Sequence, residues 1–155
     1  MELIKNLKEV TLIKNLFLAI FSTILLSISA KINIPFYPVP MTMQTFVVLL
    51  IGVLFGWKLG LFTVGLYLAE GIFGLPVFAG TPEKGLGIAY FVGPTMGYLV
   101  GFLIAVFFAG FFNFGKNYIL NFLKLTIAVC FIYIFGMMWL LKFTGWEKVF
   151  LVGAQ

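Results

Sequence analysis

Long apolar runs alternate along this chain with short segments where proline, glycine and lysine collect. The first run, residues 15–30, is led in by residues 1–14, where Glu2, Lys5, Lys8, Glu9 and Lys14 alternate with apolar positions as in an interfacial amphipathic segment. The stretch from Lys14 to Lys31, about 18 residues at 1.5 Å each, covers about 27 Å, enough to cross a hydrocarbon core. No Ala-x-Ala site follows it, so it reads as an uncleaved first span. A second span is predicted over Met41 to Phe55, ending at Gly56, and a third from Gly60 to Glu70. The Trp57-Lys58-Leu59 connection is short enough to force these two into an antiparallel hairpin. A fourth span covers Thr95 to Phe112, and beyond the polar Asn113 to Asn117 turn a fifth, tilted span covers Tyr118 to Leu141.

Two interruptions differ from simple turns. Residues 33–40 carry prolines at 35, 38 and 40, which remove backbone donors and push their predecessors toward extended geometry, so a loop rich in aromatics is expected. Residues 71–93 are broken by glycine or proline at nearly every third position and form the longest non-helical candidate. The pattern as a whole predicts an all-α integral membrane protein, a polytopic helical bundle of five spans in a single domain over residues 1–155.

Composition strengthens that reading, since 63% hydrophobic and 10% charged residues leave too little polar surface for a small soluble core. The chain has no His, Asp or Arg, only ten Lys and five Glu, so general bases, metal clusters and catalytic triads lack their parts. No metal, cofactor or enzymatic activity is expected, and Cys130, the one cysteine, reads as a small apolar side chain. The net charge of +5 is scattered singly between apolar runs and does not form a nucleic-acid stripe. Its distribution sets orientation instead. With the N-terminus cytoplasmic, Lys5, Lys8, Lys14, Lys58, Lys116 and Lys124 lie inside against Lys31 and Lys84 outside. Both interrupted segments, 33–40 and 71–93, then face outward at one mouth; Lys142 and Lys148 run against the rule.

Small residues recur every four positions at Gly52, Gly56 and Gly60 and again at Gly93, Gly97 and Gly101, letting helix backbones approach where lipid supplies no hydrophobic drive; packing within the chain is the expected use. Ala19 and Thr23 form a weaker pair of the same kind, a candidate docking face for a partner helix. Gln44, beside Thr42 and Thr45 in an apolar helix, needs either an interhelical hydrogen bond or a polar ligand. Glu70 ends the third span at the outer boundary, where it can reach headgroup water. Lys84 in the second outward loop pairs with Glu83 or neutralises an anionic ligand. Phe36, Tyr37 and Phe78 stand out among many aromatics only because they occupy the two outward loops.

Four motifs in order, Val39-Pro40-Met41-Thr42-Met43-Gln44-Thr45, Gly71-x2-Gly74-Leu75-Pro76-Val77-Phe78-Ala79, Thr81-Pro82-Glu83-Lys84-Gly85 and Gly93-Pro94-Thr95-Met96-Gly97-Tyr98-Leu99-Val100-Gly101-Phe102, resemble the BioY family over about residues 15–142. That family comprises biotin-specific substrate-capture (S) components of energy-coupling factor transporters. The resemblance implies a six-helix membrane bundle in a bacterial cytoplasmic membrane, with an outward biotin pocket capped by the loops after the first and third helices. Its modules can include a transmembrane coupling subunit and two ATPases as partners; no G-x4-G-K-[ST] signature is present in this sequence.

On that resemblance, Thr42, Gln44, Thr81 and Tyr98 are expected to serve the ureido head of biotin, Phe36, Tyr37 and Phe78 its rings, and Lys84 its carboxylate. The family pattern continues past the position of Gly153 with a Pro-Phe-x-Pro-x-Asp-x2-Lys-like segment and a sixth helix, so the expectation here is five spans of a six-helix pattern, from a fragment or from a chain that has lost that helix. The docking pattern of the family's first span, Ala-x3-Ala, is matched only as Ala19-x3-Thr23. Two other readings compete with biotin capture: a membrane scaffold whose glycine faces hold partner helices, and an intramembrane enzyme using Glu70 and Tyr98.

Overall fold

A computed structural model describes residues 2–34 and 41–153, with side chains over residues 9–34 and 42–143. The order is α1 (Glu2–Lys31), β1 (Asn33–Ile34), β2 (Met41–Thr42), α2 (Gln44–Ile72), α3 (Ile88–Phe91), α4 (Met96–Phe111) and α5 (Tyr118–Gly153). Helices dominate because a segment in hydrocarbon must satisfy its backbone polar groups internally.

The 29 residues of α2 do not form one rod. Gly56 interrupts them with φ 75° and ψ 173°, a left-handed conformation that a residue with a Cβ adopts only at a cost. The chain reverses there. In a straight helix Gln44 and Tyr67 would be about 35 Å apart; instead the Gln44 amide donates to the Tyr67 hydroxyl at 2.6 Å. A Cβ added at Gly60 would lie 3.5 Å from the Cα of Gly52, which places the two arms, 44–55 and 57–72, side by side. The predicted hairpin is therefore present. Its arms begin and end differently from the pattern: the first starts at Gln44, after a two-residue strand, and the second starts directly after Gly56 and runs to Ile72.

Helix ends follow local chemistry. The second arm closes with the Gly74 N–H on the Gly71 carbonyl at 3.1 Å and the Leu75 N–H on the Glu70 carbonyl at 3.2 Å, with Gly74 at φ 95°, the paired bonds of a Schellman ending. Asn117 starts α5 by accepting from the N–H groups of Ile119 and Leu120 at 3.1 and 3.2 Å. α4 begins at Met96, and α5 continues past the expected Leu141 to Gly153. The long segment after α2 is not wholly irregular, since it contains the single turn of α3.

α4 lies between the α2 hairpin and α5, and α1 packs on the other side of α2. Close approach uses the glycines. A Cβ at Gly52 would stand 2.8 Å from Ala109 Cβ, one at Gly60 2.9 Å from Val106 Cγ2, and one at Gly101 2.7 Å from the Ile132 Cα; one at Gly97 would strike the Phe135 carbonyl and the Trp139 side chain. Gly110 in turn presses on the backbone of Trp57, so α4 ends at the hairpin tip. Two expected ladder members play other roles. Gly56 has nothing within 4 Å of its Cβ position and serves as the reversal point, and Gly93 precedes α4 and offers its carbonyl to Trp139 Nε1 at 2.9 Å.

Three helical segments, Glu9–Lys31, Gln44–Ile72 and Tyr118–Phe143, are long and apolar enough to cross a membrane, and α4 is a shorter apolar helix. With α2 folded in half, the described residues form five long helical rods, as the hydropathy pattern predicts. Large side chains such as Phe17, Phe21, Phe46, Leu54, Phe62, Phe122 and Met138 are exposed on its flanks, the arrangement of a chain solvated by lipid. The hairpin tip with Lys58 and the 112–117 turn with Lys116 lie at one end, and the end of α1, the β1/β2 ribbon and the 73–95 segment lie at the other.

Candidate functional site at the outward loops

At the loop end, residues 77–81 fold inward and place Phe78 at the centre of an aromatic box. Its ring stacks on Tyr90 with centroids 4.8 Å apart and meets Tyr67 and Phe91 edge-on at 5.2 and 5.4 Å. Phe78 is 1% exposed. Gly71 makes the room, because a Cβ there would collide with the Phe78 ring. Each aromatic pair adds about 0.5–1.5 kcal/mol beyond area burial, so the box outweighs any single contact in holding this segment in.

The backbone of the segment is bonded from three sides. The Tyr67 hydroxyl, on the second arm of α2, donates to the Val77 carbonyl at 2.9 Å. The Tyr90 hydroxyl, on α3, donates to the Ala79 carbonyl at 2.9 Å. Lys31, the last residue of α1, sends its ammonium to the Phe78 carbonyl at 3.2 Å, the Thr81 carbonyl at 2.8 Å and Thr81 Oγ1 at 3.0 Å. Thr81 Oγ1 itself donates to the Phe78 carbonyl at 2.7 Å. Burial pushes the Tyr90 phenol above its ordinary range, with a hydrogen bond to the Thr95 side chain pulling the other way. Among the described residues, every buried side-chain nitrogen and oxygen has a partner.

The predicted site residues divide accordingly. Gln44, Phe78 and Thr81 converge on this cluster, all buried. Gln44 spends its amide on Tyr67, which is the interhelical use of that side chain. Thr42 is half-buried on β2, paired across the ribbon with Asn33, and Lys84 is exposed with its stem lying over Gly80. Tyr98 stands apart on α4, half-buried, packed on Gly136 and edge-on to Tyr133 of α5. Phe36 and Tyr37 lie outside the described residues. Ala19 and Thr23 are buried, and Thr23 Oγ1 donates to the Glu70 carboxylate at 2.9 Å across the α1–α2 seam.

Tyr67, Tyr90 and Lys31 are the groups that residue patterns did not single out as site members. Their partners lie 10 to 50 residues away in sequence, so no local spacing announces them. Next to the cluster, an open groove of about 450 Å³ runs along the α1–α2 seam, apolar along Ile20, Ile24 and Ile28, with Thr23, Glu70 and Lys31 among its polar lining.

The BioY family model matches residues 4–155. The chain belongs to the BioY family. Among its BioY relatives, the probable biotin transporter BioY of Pyrococcus horikoshii is 40% identical over 147 residues, 95% of this chain and 83% of that protein. The probable biotin transporter BioY of Lysinibacillus sphaericus is 35% identical over 158 residues, covering 95% of this chain and 78% of the relative. The biotin transporter BioY of Thermotoga maritima is 44% identical over 88 residues, about half of its length. Among solved structures, a crystal structure at 2.1 Å of the S-component for biotin from an ECF-type ABC transporter matches with a TM-score of 0.76 and 29% identity, over 92% of this chain and 78% of that one. BioY membership and this structural likeness agree with a multi-pass membrane protein of helical fold.

Proposed function

We propose that this chain takes up biotin as the substrate-capture S component of an energy-coupling factor transporter, binding the vitamin at the outer face of the cytoplasmic membrane and releasing it inward without altering it. The observation that carries the reading is the 40% identity that runs through 83% of a biotin transporter's length, supported by the likeness to a biotin S-component. Transport draws its energy from partners, a transmembrane coupling subunit and ATPases. The lysine distribution supports a cytoplasmic N-terminus and outward loops.

The outward cluster suits the ligand chemically. Biotin offers a bicyclic head that requires apolar walls, a ureido group that requires donors and acceptors, and a carboxylate that requires a cation. Phe78, with Phe36 and Tyr37 of the other outward loop, is assigned to the rings; Thr42, Gln44 and Thr81 to the head, together with Tyr98, which lies apart from the cluster on α4; and Lys84 to the carboxylate. Opening the 77–81 segment exposes Phe78 and frees Thr81, so capture exchanges internal bonds for ligand bonds.

The scaffold reading requires glycine faces turned to partner helices, whereas Gly52, Gly60, Gly97 and Gly101 are filled by the chain's own α4 and α5 residues. The enzyme reading requires Glu70 and Tyr98 together, but Glu70 belongs to the α1–α2 seam and Tyr98 to the α4–α5 seam. The direct test is equilibrium binding of labelled biotin to the detergent-purified protein. Saturable, biotin-competed binding supports capture; its absence overturns it.

A further inference from the structure

We infer that Lys31 is a positioning residue for biotin capture: without touching the ligand, it ties the two outward loops together and holds the 78–81 turn closed, and so sets how long biotin stays bound. The inference rests on the biotin-capture reading above and goes beyond it by naming the residue that governs the mouth.

An ammonium has three donors and no acceptor. All three find partners here on one turn, the carbonyls of Phe78 and Thr81 and the Thr81 hydroxyl, at 3.2, 2.8 and 3.0 Å. The Thr81 hydroxyl donates its own hydrogen bond to the Phe78 carbonyl at 2.7 Å, so Lys31, Thr81 and Phe78 form a closed ring of bonds. Bonds from a charged donor are roughly twice as strong as neutral ones. The two tyrosines that also hold this segment bond the carbonyls of Val77 and Ala79, and the Thr81 N–H closes the turn on the Phe78 carbonyl at 3.3 Å; Lys31 is the side chain from outside the segment that bonds the carbonyls at both ends of the turn, Phe78 and Thr81.

The position of Lys31 in the chain supplies the second half of the argument. It ends α1 and is followed within two residues by β1, whose ribbon with β2 forms the base of the other outward loop. The Met43 N–H bonds the carbonyl of Ile32, the next residue, at 3.1 Å. Lys31 therefore stands where the first outward loop leaves the bundle and bonds to the turn that closes the second, across 50 residues of sequence. Release of Phe78 from its aromatic box requires this ammonium to let go, or to travel with the turn.

A mere helix-end lysine, placed to favour the dipole and reach headgroup water, would give no such result. The experiment uses the full chain, purified in detergent, as the parent and as Lys31→Met, Lys31→Arg, Thr81→Val and Lys84→Met. Amide hydrogen exchange is followed at residues 78–85, together with the dissociation of labelled biotin and biotin amide. Lys31→Met is expected to speed exchange at the Thr81, Lys84 and Gly85 amides and to release biotin and biotin amide faster by the same factor, about tenfold or more. Lys31→Arg should restore both readouts, and Thr81→Val should reproduce part of the loss. Lys84→Met should leave exchange at Thr81 unchanged.

Unchanged exchange in Lys31→Met overturns the inference, as does failure of Arg to rescue. A loss confined to biotin, with biotin amide unaffected, also overturns it by making Lys31 a direct contact of the carboxylate. If the parent fails to bind biotin, the capture reading falls, and the inference about biotin retention falls with it; faster exchange in Lys31→Met would still support the loop-holding half, so the two failures remain distinguishable.

Discussion

The side-chain amide of Gln44 donates to the hydroxyl of Tyr67 at 2.6 Å, and that hydroxyl donates onward to the Val77 carbonyl at 2.9 Å. One phenol thus joins the two arms of the α2 hairpin to the segment that follows it. Tyr67→Phe keeps the ring but leaves a buried amide N–H and a carbonyl without partners, at a cost of about 1–3 kcal/mol. Gln44→Leu in the same background should recover part of that loss. Unfolding of the single and double variants in detergent is expected to show a coupling of about 0.5–2 kcal/mol; additive losses would contradict the relay.

Glycine substitutions should sort by geometry rather than by position in the sequence pattern. Gly101→Ala drives a methyl into the Ile132 backbone, and a loss of about 1–3 kcal/mol is expected from overpacking. Gly65→Ala meets nothing within 4 Å and should be neutral or gain up to about 1 kcal/mol from helix propensity. Gly56→Ala also meets open space, yet its φ of +75° imposes strain of about 1–2 kcal/mol. Melting temperatures of the three in one detergent check the order; a harmless Gly56→Ala would contradict the reversal described here.

Removing the Phe78 ring tests the aromatic box. Phe78→Ala should weaken biotin binding by about tenfold or more and, as a large core truncation, lower stability by about 3–5 kcal/mol. Phe78→Leu, which keeps most of the volume, separates the two effects: stability should largely return while binding stays weak. Full recovery of binding by Leu would show that the site requires volume alone.

Charge recognition has its own readout. Lys84→Met is expected to weaken biotin binding more than biotin amide binding, since only biotin presents a carboxylate. Competition of both ligands against labelled biotin measures the difference, and equal losses would remove Lys84 from that role.

Alkaline titration should register Tyr90, which lies on α3 outside the spanning helices. Burial raises its phenol above the ordinary 10.0. Above that value the unfolded chain has shed this proton while the folded chain keeps it, so the folded state binds more protons and stability falls as pH rises. The contribution is fully present below the unfolded value and is lost as pH climbs through the raised one. Tyr90→Phe should flatten the alkaline limb by up to about 1.4 kcal/mol per pH unit, with a constant offset from the parent below pH about 9. Melting curves between pH 7 and 11 decide this; parallel limbs would refute it.

The helical bundle was legible because lipid forces a strong local signal: apolar runs of span length, punctuated by Pro38, Gly56 and Gly115. The hairpin was legible for the same reason, since a short connection leaves only one direction of return. Boundaries were less so, because Gly56 reverses the chain within one residue and the second arm starts directly after it. At the mouth, local sequence pointed to Phe78 and Thr81 but could not supply their partners. Lys31 reaches Thr81 across 50 residues and Tyr67 reaches Gln44 across 23, pairings that exist only once the bundle has folded. Gln44 illustrates the limit: its burial was foreseeable, whereas the identity of its partner, the Tyr67 phenol, was not.

The reversal at Gly56 also shapes the surrounding lipid. The two arms of α2 are about 18 and 24 Å long and α4 about 24 Å, whereas the apolar parts of α1 and α5 run to about 35 and 39 Å. One wall of the bundle is thus lower than a hydrocarbon core of about 30 Å, and two are taller. Lipid beside the short wall, where Phe46, Leu54 and Phe62 are exposed, has to dip, while the tall helices lean to fit. The reversal therefore sets a short wall beside two tall ones, a mismatch met by lipid on one side and by helix tilt on the other.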